Sequence, residues 1–339
     1  MVVDRSGSLE TSGSCKALIA SATAFVDQFA HGPGKLGLVT FATSTYVNFP
    51  IANNFQVAKP NVATMLSNMK CAGSTSTAQA LWTGYQQLVG LNEPEALNVL
   101  LFFTDGQPTG VTFDMPIARA STCSAYIPGA PEGADAYSMP SAGKGYIRGV
   151  YSTFTNSSQF FGIQNQNGLT GPDGLQSVRN NDFELATESV DCAYARNWPG
   201  SATVTRDVLG LPTKDIYGNS ANTSYRPVTL NSYGFIDISN PGNAQAMAAN
   251  AADSAALNIR KGATDPVSGG SLRNVVIYSI GLGNAPYPLS HEFLERVSNG
   301  FRSPIFDKST PAGFVFYASG GADLREAFSA ISKILTDVK

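Results

Sequence analysis

The sequence predicts a doubly wound α/β fold, a mostly parallel sheet with helices on both faces and a large β-rich, irregular insertion after the fourth strand. Three observations carry this. The runs Leu36-Gly-Leu-Val-Thr-Phe-Ala, Asn98-Val-Leu-Leu-Phe-Phe-Thr and Asn274-Val-Val-Ile-Tyr-Ser-Ile-Gly are apolar on both alternating faces, as strands covered on both sides must be. Stripes at helical spacing separate them, and strand–helix alternation implies parallel pairing with crossovers. From Gly106 to about Asn240 both patterns stop, and Gly, Pro, Ser, Asn and Tyr take over.

In order, Val2-Val3-Asp4 is a short first strand. Ala17, Leu18, Ala20, Ala24, Phe25 and Phe29 make Ser14–Ala30 a helix, stopped by Gly32-Pro33-Gly34. Thr45–Phe49 is a short antiparallel edge strand. Val62–Met69 and Ala78–Val89 are helical. After the insertion come an Ala-rich helix over Ala244–Arg260, a helix over Ser290–Ser298 with Ser290 as N-cap, and a strand over Phe314–Tyr317. A last amphipathic helix, Ala322–Leu335, puts Leu324, Phe328, Ile331 and Leu335 on one face. An insertion of this length needs structure of its own, since long structureless loops are uncommon inside compact domains. The expected division is 1–106 and 241–339 as one discontinuous domain, with 107–240 inserted.

Composition narrows the function. Charged residues are 14% of the 339, well below the usual figure of about 25%. A polar, weakly charged surface suits a secreted or surface protein. The net charge is −3 and no Lys/Arg run occurs, so a nucleic-acid partner is not expected. No stretch reaches the ~18 apolar residues of a membrane span. The first strand is shorter than usual, which is read here as a trimmed start, with any signal or anchor upstream of Met1. The four cysteines, Cys15, Cys71, Cys123 and Cys192, have no metal-site spacing; two disulfides or four buried thiols are the alternatives.

The chemistry-bearing residues follow the strands. Asp4-Arg5-Ser6-Gly7-Ser8 places a carboxylate and two hydroxyls on alternate residues of a turn, and Asp105 ends the strand Phe102-Phe-Thr-Asp-Gly. These are hard oxygen donors of the kind Mg2+ takes. Ligand sites in such sheets lie beyond the carboxyl ends of the strands.

Asp-x-Ser-x-Ser after a hydrophobic strand resembles the metal-ion-dependent adhesion site of von Willebrand factor type A and integrin inserted domains. Thr104-Asp-Gly is similar to that family's fourth strand end. Gly73-Ser-Thr-Ser-Thr-Ala-Gln-Ala-Leu81 resembles its threonine loop, Val275-Val-Ile-Tyr-Ser-Ile-Gly-Leu-Gly its fifth strand, and Leu324-Arg-Glu-Ala-Phe-Ser-Ala-Ile its last helix. The resemblance covers about 1–106 and 241–339. It implies a site for Mg2+, with Mn2+ or Ca2+ as alternatives, formed by Asp4, Ser6, Ser8, Thr75 and Asp105. Thr77 is the second choice for the threonine. It further implies direct coordination by both serines, direct or water-mediated contact from both carboxylates, and a partner's acidic side chain completing the shell. The loops bearing Cys15 and Cys71 converge in this family, which implies a Cys15–Cys71 disulfide; Cys123 and Cys192, both in the insertion, suggest a second. The insertion departs from the family, whose common members have a short loop there; its start after Asp105 implies that it rises on the metal face. The tract Asp207–Asn219 resembles bacterial von Willebrand A proteins of tight-adherence pilus assembly.

The implied function is a cation-dependent adhesion module of a bacterial surface or pilus, extracellular and not an enzyme. The alternatives are an intracellular scaffold of the chelatase-subunit type and a metal-dependent hydrolase. The hydrolase lacks a visible second metal position or general base, and His31 and His291 sit in unrelated contexts. Asp182, Glu184, Glu188 and Asp191 lack Ca2+-loop spacing and read as a solvated face. The insertion's aromatics read as core. Asn156-Ser-Ser and Asn222-Thr-Ser fit the glycosylation pattern, which a bacterial origin would silence.

Overall fold

A computed structural model describes residues 1–29, 34–43, 45–116, 127–128, 145–154, 157–162, 211–232, 234–237, 240–283 and 290–337. By contacts the chain forms two compact units, one of Met1–Gly73, Ala80–Gln107 and Ala256–Lys339, the other of Ser74–Gln79 and Pro108–Ala255.

The first unit holds a six-stranded sheet, β1 (Val2–Asp4), β2 (Leu36–Phe41), β3 (Thr45–Ala52), β4 (Val99–Thr104), β9 (Val276–Leu282) and β10 (Val315–Ala318), in the order β10-β9-β4-β1-β2-β3. All pairs are parallel except β2 with β3. The short β1 lies between β2 and β4, with Val3 opposite Thr40 and Phe103. Every residue of β2 is buried, as its apolar run requires. The edge strand β3 runs on to Ala52, past the expected Phe49, although Pro50 lies within it; proline is tolerated on an edge, where one side needs no donor.

One face of the sheet is covered by α2 (Cys15–Gln28) and α7 (Gly321–Asp337). Phe328 meets Phe25 at a tilt, 5.1 Å between ring centroids, and stacks on Phe103 at 6.5 Å, so the stripe read from the sequence packs on β4 as well as on α2. Val3, Leu101 and Ile280 join the same cluster. Helix α3 (Val62–Ser67) starts at Asn61, whose side chain accepts the Thr64 N–H. Helix α4 (Thr77–Leu91) reaches β1 and β4 through Gly84, where a Cβ would lie 2.7 Å from Val2 Cγ2 and 3.0 Å from Leu100 Cδ2. Glycine lets helix and strands approach this closely. Asp265 accepts hydrogen bonds from Trp82 Nε1 (3.0 Å) and Gln86 Nε2 (2.9 Å), and Tyr85 donates to the carbonyl of Ala263 at 2.7 Å. These bonds satisfy polar groups that would be costly to bury alone. Helix α6 (His291–Ser298) starts at Ser290, whose Oγ accepts the Phe293 N–H, and ends at Asn299 in the left-handed region with φ 51°. Arg260 Nη1 donates to the carbonyl of Arg296 at 3.0 Å, placing a cation on the carboxyl end of that helix.

In the second unit, β7 (Gly145–Phe154) pairs antiparallel with β5 (Gly110–Pro116), β6 (Ile127–Pro128) and β8 (Ser157–Gly162), so the insertion carries a sheet of its own. Helix α5 (Pro241–Arg260) begins on a proline, a residue suited to a helix's first turn. Two of its asparagines, seven residues or two turns apart, organise the irregular segment before it. Asn250 accepts from the Arg226 N–H (3.0 Å) and donates to the carbonyls of Ala221 (3.1 Å) and Arg226 (2.7 Å). Asn243 accepts from the Thr229 N–H at 3.0 Å and donates to the Asp237 carbonyl at 2.8 Å.

Candidate metal centre

Asp4 is the last residue of β1, opposite Phe41 of β2, and Asp105 immediately follows β4. Parallel pairing therefore delivers both carboxylates to the same carboxyl edge. Beyond Asp4 the chain is held by backbone bonds. The Arg5 N–H donates to the Phe41 carbonyl (2.8 Å), the Ala72 N–H to the Arg5 carbonyl (2.8 Å), and the Gly7 N–H to the Gly73 carbonyl (2.9 Å). Gly73 has φ +92°, and a Cβ on it would lie 2.7 Å from Thr43 Oγ1, so conformation and space both require glycine.

The turn then enters a short helix, α1 (Gly7–Thr11), which periodicity could not reveal because it is only five residues long. Ser6 stands at its N-cap but makes no side-chain capping bond. Its hydroxyl lies 3.0 Å from Ser8 Oγ instead, and Ser8 Oγ donates to Asp105 Oδ1 at 2.8 Å. The Ser6 N–H donates to Asp4 Oδ1 at 2.7 Å, and Thr104 Oγ1 donates to Asp4 Oδ2 at 2.6 Å. Asp4, Ser6, Ser8 and Asp105 thus form one connected cluster. Thr104, not singled out from the sequence, is its orienting member; the signal was present in Thr104-Asp-Gly, one residue before the carboxylate.

The electrostatics follow from burial. Asp4 and Ser6 are buried, and Asp105 is 4% exposed. Burial pushes Asp4 up to about 6, partly offset by the Thr104 and Ser6 bonds. Asp105 is pushed up to about 8, by burial first and then by the Asp4 charge, against the Ser8 and Ser6 hydroxyls. A hydroxyl neutralises no charge, so the two carboxylates repel and the pair holds a proton more tightly than ordinary aspartates do. A bound cation removes that penalty.

The donor set fits Mg2+, which is commonly held by one or two carboxylates with the rest of its shell from neutral oxygens and water. Among the described residues no three His, Cys, Asp or Glu side chains gather as a metal-binding group, so the hydroxyls are what make this cluster a candidate. Thr75 lies in the second unit and is buried; its N–H donates to Thr109 Oγ1 at 2.9 Å. Thr77 is buried too, with no hydrogen-bond partner for its Oγ1.

Cys15 and Cys71 form a disulfide with a Cα separation of 6.1 Å. Cys123, Cys192, His31, Asn156 and the acidic group Asp182, Glu184, Glu188 and Asp191 lie outside the described residues. His291 stacks on Tyr317 at 4.1 Å. Of the Asp207–Asn219 tract, the end is a tight turn in which Asp215 accepts from the Tyr217 and Asn219 N–H groups at 2.9 and 2.8 Å, a structural role.

Residues 1–135 match the family described as von Willebrand factor type A domain. No curated protein matches the chain. Among solved structures, the PilB minor pilin from Streptococcus sanguinis is similar at 15% identity with a TM-score of 0.49, over 100% of this chain and 61% of that chain. The pilus adhesin SpaC from Lactobacillus rhamnosus GG, in its open conformation, is similar at 13% identity and a TM-score of 0.46, over 98% of this chain and 29% of that one. The vWF domain of the type V pili tip protein Mfa5 from Porphyromonas gingivalis is similar at 14% identity and a TM-score of 0.47, over 99% and 94%. The chain spans 61% of the length of the PilB chain, less than two thirds.

Proposed function

We propose that this chain, which carries a von Willebrand factor type A domain, is a cation-dependent protein-binding module of a bacterial cell surface or pilus. The observation that carries the reading is the connected cluster of Asp4, Ser6, Ser8 and Asp105, two buried carboxylates linked through the Ser6 backbone N–H and the Ser6 and Ser8 hydroxyls. These residues would hold one Mg2+, or Mn2+ or Ca2+ in its place, and Thr75 is assigned as the fifth donor on the pattern of the Gly73–Leu81 run. When bound, the ion supplies an electrophilic position for an anionic oxygen, here an acidic side chain of a partner protein.

The chain's own groups set up that chemistry. Thr104 fixes the Asp4 carboxylate, and the Ser6 and Ser8 hydroxyls present neutral oxygens that leave the ion's charge incompletely compensated. The Cys15–Cys71 disulfide supports a location outside the reducing cytosol. No helix among the described residues is long and apolar enough to cross a membrane. The pilus part of the reading rests on the Asp207–Asn219 tract.

Mn2+ tests the open position directly. Water-proton relaxation enhancement by the Mn2+-loaded protein should fall when a Glu-containing peptide is added, because a carboxylate displaces bound water, and should hold with the Gln analogue. Equal response to both peptides would remove the carboxylate-binding reading.

A further inference from the structure

The segment Ser74–Gln79 is a run of polar residues, and Ser74, Thr75, Ser76, Thr77 and Gln79 are all buried. Buried polar groups need partners, and several of those seen come from the inserted strands. Thr109 Oγ1 accepts the Thr75 N–H at 2.9 Å, and the Thr75 carbonyl accepts the N–H groups of Thr109 (2.9 Å) and Gly110 (3.1 Å). Ser152 Oγ of β7 donates to Ser74 Oγ at 2.5 Å, and Thr112 Oγ1 of β5 donates to Gln79 Oε1 at 3.2 Å. The two segments also touch at Gly110, where a Cβ would lie 2.5 Å from Ser76 Oγ. Compactness groups the same residues: Ser74–Gln79 falls with Pro108–Ala255, apart from the segments on either side of it in sequence.

We infer that the start of the insertion is a positioning element for the threonine loop, with Thr109 as the positioning residue that sets where Thr75 presents its hydroxyl. This rests on the reading of Thr75 as a cation donor. Thr109 grips both the N–H and the carbonyl of Thr75, leaving that residue's backbone little freedom to turn. Residues Ser74–Ser76, which precede α4 and belong to no helix or strand, take their conformation from whatever satisfies their polar groups. The insertion therefore does more than decorate the domain: it supplies the groups that hold the Thr75 backbone.

The test compares Mg2+ affinity by titration calorimetry in the full chain and four variants. Thr109→Val keeps the shape and removes the acceptor; it should bind Mg2+ about tenfold more weakly, the scale on which outer-shell partners of metal ligands act. Thr109→Ser restores the acceptor and should return affinity close to wild type. Thr75→Val should weaken binding at least as much as Thr109→Val. In the cation-free protein, the Thr75 amide should exchange hydrogen faster in Thr109→Val than in wild type and regain protection in Thr109→Ser. If Thr109→Val melts far below wild type, Ser152→Ala, which removes only the hydroxyl bonded to Ser74, carries the same expectation for affinity. Wild-type affinity in Thr109→Val and Ser152→Ala, beside a loss in Thr75→Val, would overturn the positioning role alone. Undiminished binding in Thr75→Val would remove the donor assignment, and the inference with it.

Discussion

Asp4 and Asp105 are joined through the Ser6 N–H and the Ser6 and Ser8 hydroxyls, with no cationic group among these links, and the consequence at the residue scale is a retained proton. Both carboxyls are raised above the ordinary aspartate value of about 3.9, to about 6 and about 8. The two titrate as a pair. The sign follows: a carboxyl whose folded pKa is raised contributes stability at acid pH that is lost as pH rises through the folded value. The cation-free protein should therefore lose stability from this pair as pH climbs from about 4 to about 8. Mg2+ binds the deprotonated form, so its affinity should rise over the upper part of that range. Titrations at neutral pH in buffers of different ionisation heat should show about one proton released per ion bound, falling toward zero above pH ~9. A binding heat independent of the buffer would contradict the raised values.

At the scale of elements, the Cys15–Cys71 disulfide ties the first residue of α2 to the segment whose Ala72 and Gly73 bond the Asp4–Gly7 turn. It closes a loop with a sequence separation of 56, and links of this sort contribute about 2–4 kcal/mol. Cys15→Ser with Cys71→Ser should lower Tm by about 5–15 °C in non-reducing scanning calorimetry; an unchanged Tm would show that the link adds nothing to the folded state. The elements differ in how far the sequence disclosed them. Strands β2, β4 and β9 were legible because burial on both faces leaves a continuous apolar run. The Phe25, Phe103 and Phe328 packing followed from a helical stripe. Helix α1 was not legible, since five residues span too few turns to show a period. Nor was the order within the 211–237 segment, which depends on side-chain bonds from Asn243 and Asn250, residues with no pattern to mark them.

Across the first unit, the parallel order β9-β4-β1-β2 is what brings together two carboxylates about a hundred residues apart in sequence: it aligns the ends of β1 and β4, so Asp4 and Asp105 need no special loop to meet. All five candidate donors are named from the sequence; the structure joins Asp4, Ser6, Ser8 and Asp105 in one hydrogen-bonded cluster, because each sits at or soon after a strand end. The partners of the threonine loop were not readable, because Thr109 reaches Thr75 and Ser152 reaches Ser74 by long-range contacts that leave no local signature. Replacing the insertion wholesale would remove the Gly110 and Ser152 contacts, so it cannot be treated as a detachable cap on the threonine loop. The central claim is that one divalent cation is held by the Asp4, Ser6, Ser8 and Asp105 cluster, and titration calorimetry of the full chain with Mg2+ tests it most directly. The account predicts one site per chain in the wild type, lost in both Asp4→Ala and Asp105→Ala while their circular dichroism stays that of a folded protein. No binding by the wild type, or undiminished binding in both folded variants, would contradict it.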